Sequence, residues 1–232
     1  KVVFPRLRAA LLKDHIHLED IDLRWGLTQE ESDNDQVLAA CLREIETCRP
    51  FFVGILGQRY GFVPTRLAND VLSRYGWVQS QTRRSITELE MLHGVINDPA
   101  MHSRAIFCLR NDQYLSEVPT DRLDVYREGP TPQERSDLSP QQAQAAADER
   151  INRLEALKDR LRALEGASLL DGYPCRWDSQ AVDPSTAQAG RLVGLEGFGH
   201  WVAQRLEESI RAAPELAEHF AAMARQAPDP HG

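Results

Sequence analysis

The sequence predicts an open α/β domain whose mostly parallel sheet is covered by helices on both faces. Three observations carry that class. Phe51-Phe52-Val53-Gly54-Ile55-Leu56-Gly57 is a continuous apolar run of the kind found in strands buried on both sides. Arg104-Ala105-Ile106-Phe107-Cys108-Leu109-Arg110 repeats that character further along. Between and around these runs lie amphipathic stretches long enough to be crossover helices, an alternation that leads to right-handed connections and a parallel sheet.

The elements follow in chain order. Val3, Leu7, Leu11 and Leu12 have helical spacing, so the chain is expected to begin inside a helix. Ile16-His17-Leu18-Glu19-Asp20 alternates apolar and polar side chains, and a strand is expected over 16–23, ending in a loop at Arg24-Trp25-Gly26. Thr28-Gln29-Glu30-Glu31 has capping-box form, and Val37, Leu38, Cys41, Leu42, Ile45 and Cys48 then define a helix over roughly 34–48. After the first apolar run, residues 58–84 form a long loop with one helical turn. A second capping box, Ser85-Ile86-Thr87-Glu88, opens a helix that runs to about Asn97 and is closed by Asp98-Pro99.

Beyond the second apolar run, 120–145 is rich in Pro, Gln, Ser and charge and reads as a partly mobile surface excursion. Ile151, Leu154, Leu157, Leu161 and Leu164 then mark another amphipathic helix. Tyr173-Pro174-Cys175-Arg176-Trp177 is expected as a short edge strand, where proline is tolerated. Leu195, Phe198, Val202 and Leu206 define a last core helix, and 215–225 a helix leading out of the domain. One more strand before Lys1 would complete a five-stranded flavodoxin-like arrangement. Residues 1–212 therefore read as one domain with its first strand absent, and 213–232 as a helical linker.

Composition narrows the function classes. The 232 residues carry a formal charge of −8, from 27 basic and 35 acidic side chains. That balance lacks the positive field used for sequence-independent binding of nucleic acid. With no apolar run of membrane-spanning length and no secretion signal, the expectation is a soluble, cytoplasmic protein. Cys41, Cys48, Cys108 and Cys175 form no C-x-x-C pair and read as reduced residues, and the histidines have no ligand spacing, so no metal site is expected.

In an open parallel sheet the ligand crevice lies beyond the carboxyl ends of the strands. Candidates there are Arg24 and Trp25, then Gly57, Arg59 and Tyr60, then Ser85 to Glu90. Gly57 and Gly61 allow a sharp turn and close backbone approach, which suits a nucleotide contact by Arg59 and Tyr60. The competing reading has Arg59 paired with a carboxylate such as Asp22, and Tyr60 and Trp25 packed in the core. Glu88 stands where a capping-box carboxylate belongs. Glu90 does not, and Gly94 one turn later opens space beside it. A first-turn carboxylate facing a crevice could stabilise positive charge on a sugar whose glycosidic bond breaks, or simply be solvated and favoured by the helix dipole. His93 could hydrogen-bond to Glu90 and tune it, or be a packed spectator.

Taken together, Asp22-Leu23-Arg24-Trp25-Gly26-Leu27-Thr28, Cys41-Leu42-Arg43-Glu44-Ile45, Val53-Gly54-Ile55-Leu56-Gly57-Gln58-Arg59-Tyr60-Gly61-Phe62-Val63-Pro64 and Ser85-Ile86-Thr87-Glu88-Leu89-Glu90 closely resemble the TIR-like domain of telomerase-component, nephrocystin and NACHT/WD-repeat proteins, a class of STAND NTPases also found in bacteria. Tyr173-Pro174-Cys175-Arg176-Trp177 and Gly194-Leu195-Glu196-Gly197-Phe198-Gly199 resemble its telomerase-component branch. The resemblance implies a signalling or effector module ahead of an NTPase and a WD-repeat or other sensor array, acting in defence or stress signalling by self-association and contact with those domains. It implies, as an alternative, an NAD+ glycohydrolase with NAD+ as substrate and no certain cofactor. Glu90 would then be catalytic, and Arg24, Trp25, Gly57, Arg59, Tyr60 and Ser85 would contact the nucleotide. The family's opening strand and its Ser/Thr-rich first loop are absent before Lys1, which bears on that activity.

Overall fold

The computed structural model describes residues 3–23, 36–183 and 188–226. Arg24, Trp25 and the expected helix start at Thr28-Gln29-Glu30-Glu31 lie outside the described residues. In chain order the elements are α1 (Val3–Leu12), α2 (Gln36–Thr47), β1 (Phe52–Leu56), α3 (Asn69–Arg74), α4 (Ile86–Met91, prolonged by a π-helical turn over Leu92–Ile96), β2 (Ala105–Arg110), α5 (Leu123–Tyr126), α6 (Pro132–Asp137), α7 (Pro140–Arg162), β3 (Ser168–Tyr173), β4 (Arg176–Val182), β5 (Ala189–Val193), α8 (Glu196–Arg211) and α9 (Ala217–Gln226). They fall into two compact units, Asp22–Leu195 and the pairing of Lys1–Ile21 with Glu196–Gly232.

The larger unit is the α/β body. Its parallel sheet has the order β1-β2-β3, with Phe52 opposite Ala105 and Ile106 opposite Ser168. β2 is central and buried along nearly its whole length, which explains a strand without alternation. Phe107, Leu109 and Leu56 form one core with Leu38 and Leu42 of α2, Leu89 and Val95 of the α4 segment, and Leu154, Leu157 and Leu161 of α7. Each fully buried leucine there contributes roughly 1.5–3 kcal/mol of transfer free energy. Gly94 permits a close approach in this layer, since a Cβ there would meet the Phe52 ring at 2.8 Å and Ile45 at 3.2 Å. The space expected beside Glu90 is therefore filled by Phe52.

Three expectations need correction. Residues 16–22 form no strand; they continue from a cap that ends α1. His15 adopts φ 56°, and the Ile16 amide donates to Leu11 O at 3.0 Å, the pattern of a Schellman-type helix end. Arg8 then donates to Leu18 O at 3.1 Å and pairs with Asp20, so this backbone is held by a side chain where a strand would need a neighbour. The expected edge strand at 173–177 is two elements: Tyr173 ends parallel β3, and Arg176 begins a β4–β5 antiparallel hairpin beyond Pro174. The excursion at 120–145 is also more built than expected. It holds α5, α6 and the capped start of α7, and it is pinned to the body at Glu128.

In the smaller unit, Leu7 and Leu11 of α1 are buried, as are Val202, Leu206 and Ile210 of α8. Gly199 lets the two helices approach, because a Cβ there would lie 2.9 Å from Val3. Asp14, just past α1, receives Arg211 at 2.6 Å, and its carbonyl lies 2.6 Å from the His219 ring of α9. None of the four cysteines is in a disulfide, and Cys41 and Cys108 are buried.

Candidate functional site at the carboxyl end of the first strand

The chain leaves β1 at Gly57 and turns at Gly61, whose φ of 96° requires glycine beside Ser85 and Thr87. Gly57 lies against the Arg110 guanidinium at the end of β2. Gln58 ties the two strand ends, donating to Arg110 O at 2.9 Å and accepting from the buried Lys158 amine at 2.8 Å. Arg110 in turn donates to the Tyr173 hydroxyl at 3.2 Å, so all three parallel strands end in one polar network.

A second network fixes the next residue. The Tyr60 amide donates to Glu128 at 3.0 Å, and the Glu128 amide donates back to Gln58 O at 2.8 Å. Arg150 of α7 then bridges Glu128 at 2.7 Å and Glu134 at 2.5 Å, and also donates to Gly129 O at 2.8 Å. The hydrogen bonds from Arg150 hold the Glu134 carboxyl down at about 2. Glu128 is buried while Arg150 and Glu134 are half-buried, and the buried charge is paired, as buried charges must be.

Tyr60 is 1% exposed, so its ring belongs to the core, as the packing alternative had it, and presents no face to a ligand. Its hydroxyl donates to Glu88, which also pairs with Arg84. Ser85 is buried and its hydroxyl accepts from the Glu88 amide at 3.2 Å. Half of the capping box is therefore present. The Glu88 carboxylate does not reach back to the cap; it is spent on Tyr60 and Arg84. Arg59 is exposed.

Glu90 is turned toward α2, where its carboxylate accepts from the Cys41 thiol. Burial pushes the Glu90 carboxyl up to about 7, and burial together with Glu90 pushes the Cys41 thiol well above its ordinary value. His93 does not reach Glu90. Its ring stacks on Trp77 with a centroid separation of 5.9 Å, and its Nε2 lies 3.3 Å from a Glu46 oxygen, with burial lowering its pKa.

Further along the loop that follows β1, a groove of about 610 Å³ opens between the 63–67 and 79–84 segments, floored by Leu72 of α3 and Leu89 of α4. Arg66, Arg83 and Arg84 line it, and no carboxylate does. Arg83 holds φ 65°, a left-handed conformation uncommon for arginine. The sequence signal for this wall was the basic Gln81-Thr82-Arg83-Arg84 stretch. Arg66, Glu128 and Arg150 carried no signal, because spacing along the chain says nothing of partners brought together by the loop after β1.

The sequence profile of the family DUF4062, described as a domain of unknown function, matches residues 6–168. The chain belongs to the DUF4062 family. This DUF4062 chain is 31% identical over 215 residues to mouse telomerase protein component 1, covering 90% of this chain and 7% of that protein. It is 32% identical over 142 residues to a TPR repeat-containing protein of Dictyostelium discoideum, covering 56% of this chain and 8% of that one. Over 66 residues it is 30% identical to mouse NACHT domain- and WD repeat-containing protein 1, covering 26% of this chain and 4% of that protein. The DUF4062 chain thus spans less than a tenth of the length of these relatives. No solved structure matches it. Among the described residues no helix is long and apolar enough to cross a membrane.

Proposed function

We propose that this DUF4062 domain is a TIR-like signalling module of a multidomain STAND NTPase of NACHT type, which works by protein contact and assembly in defence or stress signalling. Residues 213–232 lead toward the NTPase module in that reading. One observation carries it: the groove walled by the loop that follows β1 is lined by arginines, while the expected catalytic carboxylate, Glu90, is turned inward to Cys41, and Glu88 is taken up by Tyr60 and Arg84. A recess with apolar floor, cationic rim and no acid or base directed into it binds; it does not transfer protons. The relatives, each many times longer, support a role inside a larger polypeptide.

The second reading is NAD+ cleavage with Glu90 as the catalytic carboxylate, and the observation in its favour is that burial pushes this carboxyl up to about 7. Nicotinamide release by the assembled full-length parent separates the two. The module reading expects none above background in the wild type. Release that disappears in Glu90→Ala while the fold persists, as judged by circular dichroism, establishes the enzyme and overturns the module reading.

A further inference from the structure

We infer that the groove between residues 63–67 and 79–84 docks an acidic peptide segment of a partner protein, with an apolar side chain of that segment seated on Leu72 and Leu89. The inference deepens the module reading and rests on it. At about 610 Å³ the groove is within the usual range of ligand clefts, roughly 300–1,000 Å³. Its chemistry has three parts that act together.

The first is charge. Arg66, Arg83 and Arg84 meet at this groove with no Asp or Glu lining it, on a chain whose formal charge is −8. Arg84 is already paired with Glu88, but the Arg83 side chain is 77% exposed and its nearest carboxylate, on Glu149, lies 4.0 Å away. Arg66 is exposed as well. A local cationic edge on an acidic protein selects anions and steers them in.

The second part is the floor. Val63, Pro64, Leu67, Leu72 and Leu89 offer an apolar surface that a carboxylate or phosphate alone would leave unfilled. The third is the set of Thr65, Gln79, Gln81 and Thr82, whose hydroxyls and amides both donate and accept. Peptide groups need partners of both kinds, and the groove offers a nucleotide base no aromatic ring to stack on. Acidic side chains on arginines, an apolar side chain on the floor and backbone on the Thr/Gln set satisfy all three.

The test is fluorescence anisotropy of a fluorescein-tagged Glu-Glu-Leu-Glu-Glu peptide with the whole chain, beside a Lys-Lys-Leu-Lys-Lys control. The acidic peptide is expected to bind, to weaken about tenfold or more in the Arg66→Glu/Arg83→Glu double variant, and to weaken as salt shortens the screening length. Serine in place of its leucine should cost about tenfold again, the scale of one buried leucine. Both arginines are exposed, so the variant should fold, and circular dichroism checks it. Equal binding by the double variant, absence of binding up to about 1 mM peptide, or displacement by ATP at a lower concentration than unlabelled peptide overturns the inference. Assembly of the full-length parent is scored separately: assembly that persists while peptide binding fails sinks the groove and leaves the module reading standing.

Discussion

Arg150→Met tests whether the charge cluster at the end of β1 organises this edge of the domain. In the wild type Arg150 is 14% exposed and satisfies Glu128, 4% exposed, together with Glu134. Methionine keeps much of the side-chain volume and removes the charge, so the cost is chiefly that of leaving Glu128 buried without its cation. Breaking such a pair from one side costs about 3–5 kcal/mol. Glu128 keeps the Tyr60 amide at 3.0 Å as a donor, which places the expected loss near 3 kcal/mol. That is a large share of a typical domain stability of about 5–15 kcal/mol. Urea denaturation followed by tryptophan fluorescence measures it, and Glu128→Gln in the same background should recover part of the loss. The acid side supplies a second readout. Glu134 is lowered from 4.5 to about 2, so its contribution is present above 4.5 and is lost as pH falls toward 2. Arg150→Met should flatten that slope. A loss below about 1 kcal/mol, the scale of an exposed pair, with the acid slope unchanged, would refute the reasoning.

Two further outcomes follow from packing and burial. Gly94→Ala should destabilise by about 1–3 kcal/mol through overpacking, partly offset by the helix preference of alanine, and Phe52→Leu should relieve it; a more stable Gly94→Ala in thermal melts would show that the Phe52 ring yields freely. Glu90 has its folded pKa raised from 4.5 to about 7, so its stabilising share is complete below 4.5 and is lost as pH rises through 7. Glu90→Gln should therefore gain in melting temperature relative to wild type between those limits, and parallel profiles of the two proteins would contradict the burial argument.

How much could be read in advance depended on where the determining contacts lay. β2 was legible because a strand buried on both faces needs an unbroken apolar run, β1 because its run is equally unbroken although as an edge strand it is only partly buried and leaves Ile55 exposed, and α8 because Phe198, Val202 and Leu206 repeat at helical steps. β3 was missed because its residues, Ser168-Leu169-Leu170-Asp171-Gly172-Tyr173, include an aspartate and a glycine that look like a turn, while its place in the sheet comes from pairing with β2. The alternation at 16–20 misled for the opposite reason: it had strand character and no strand to join. At the site, the turn at Gly61 and the cap at Ser85 were visible as local chemistry. The use of Glu88 by Tyr60, of Glu90 by Cys41 and of Glu128 by Arg150 was not, since each pairs residues from separate segments.

The clasp of Asp14 by Arg211 and His219 has a mechanical corollary. Because the early and late segments of the polypeptide grip one another, tension applied across them would be borne first by α1 against α8. Those helices would have to part before any load passed into the hydrogen bonds between strands.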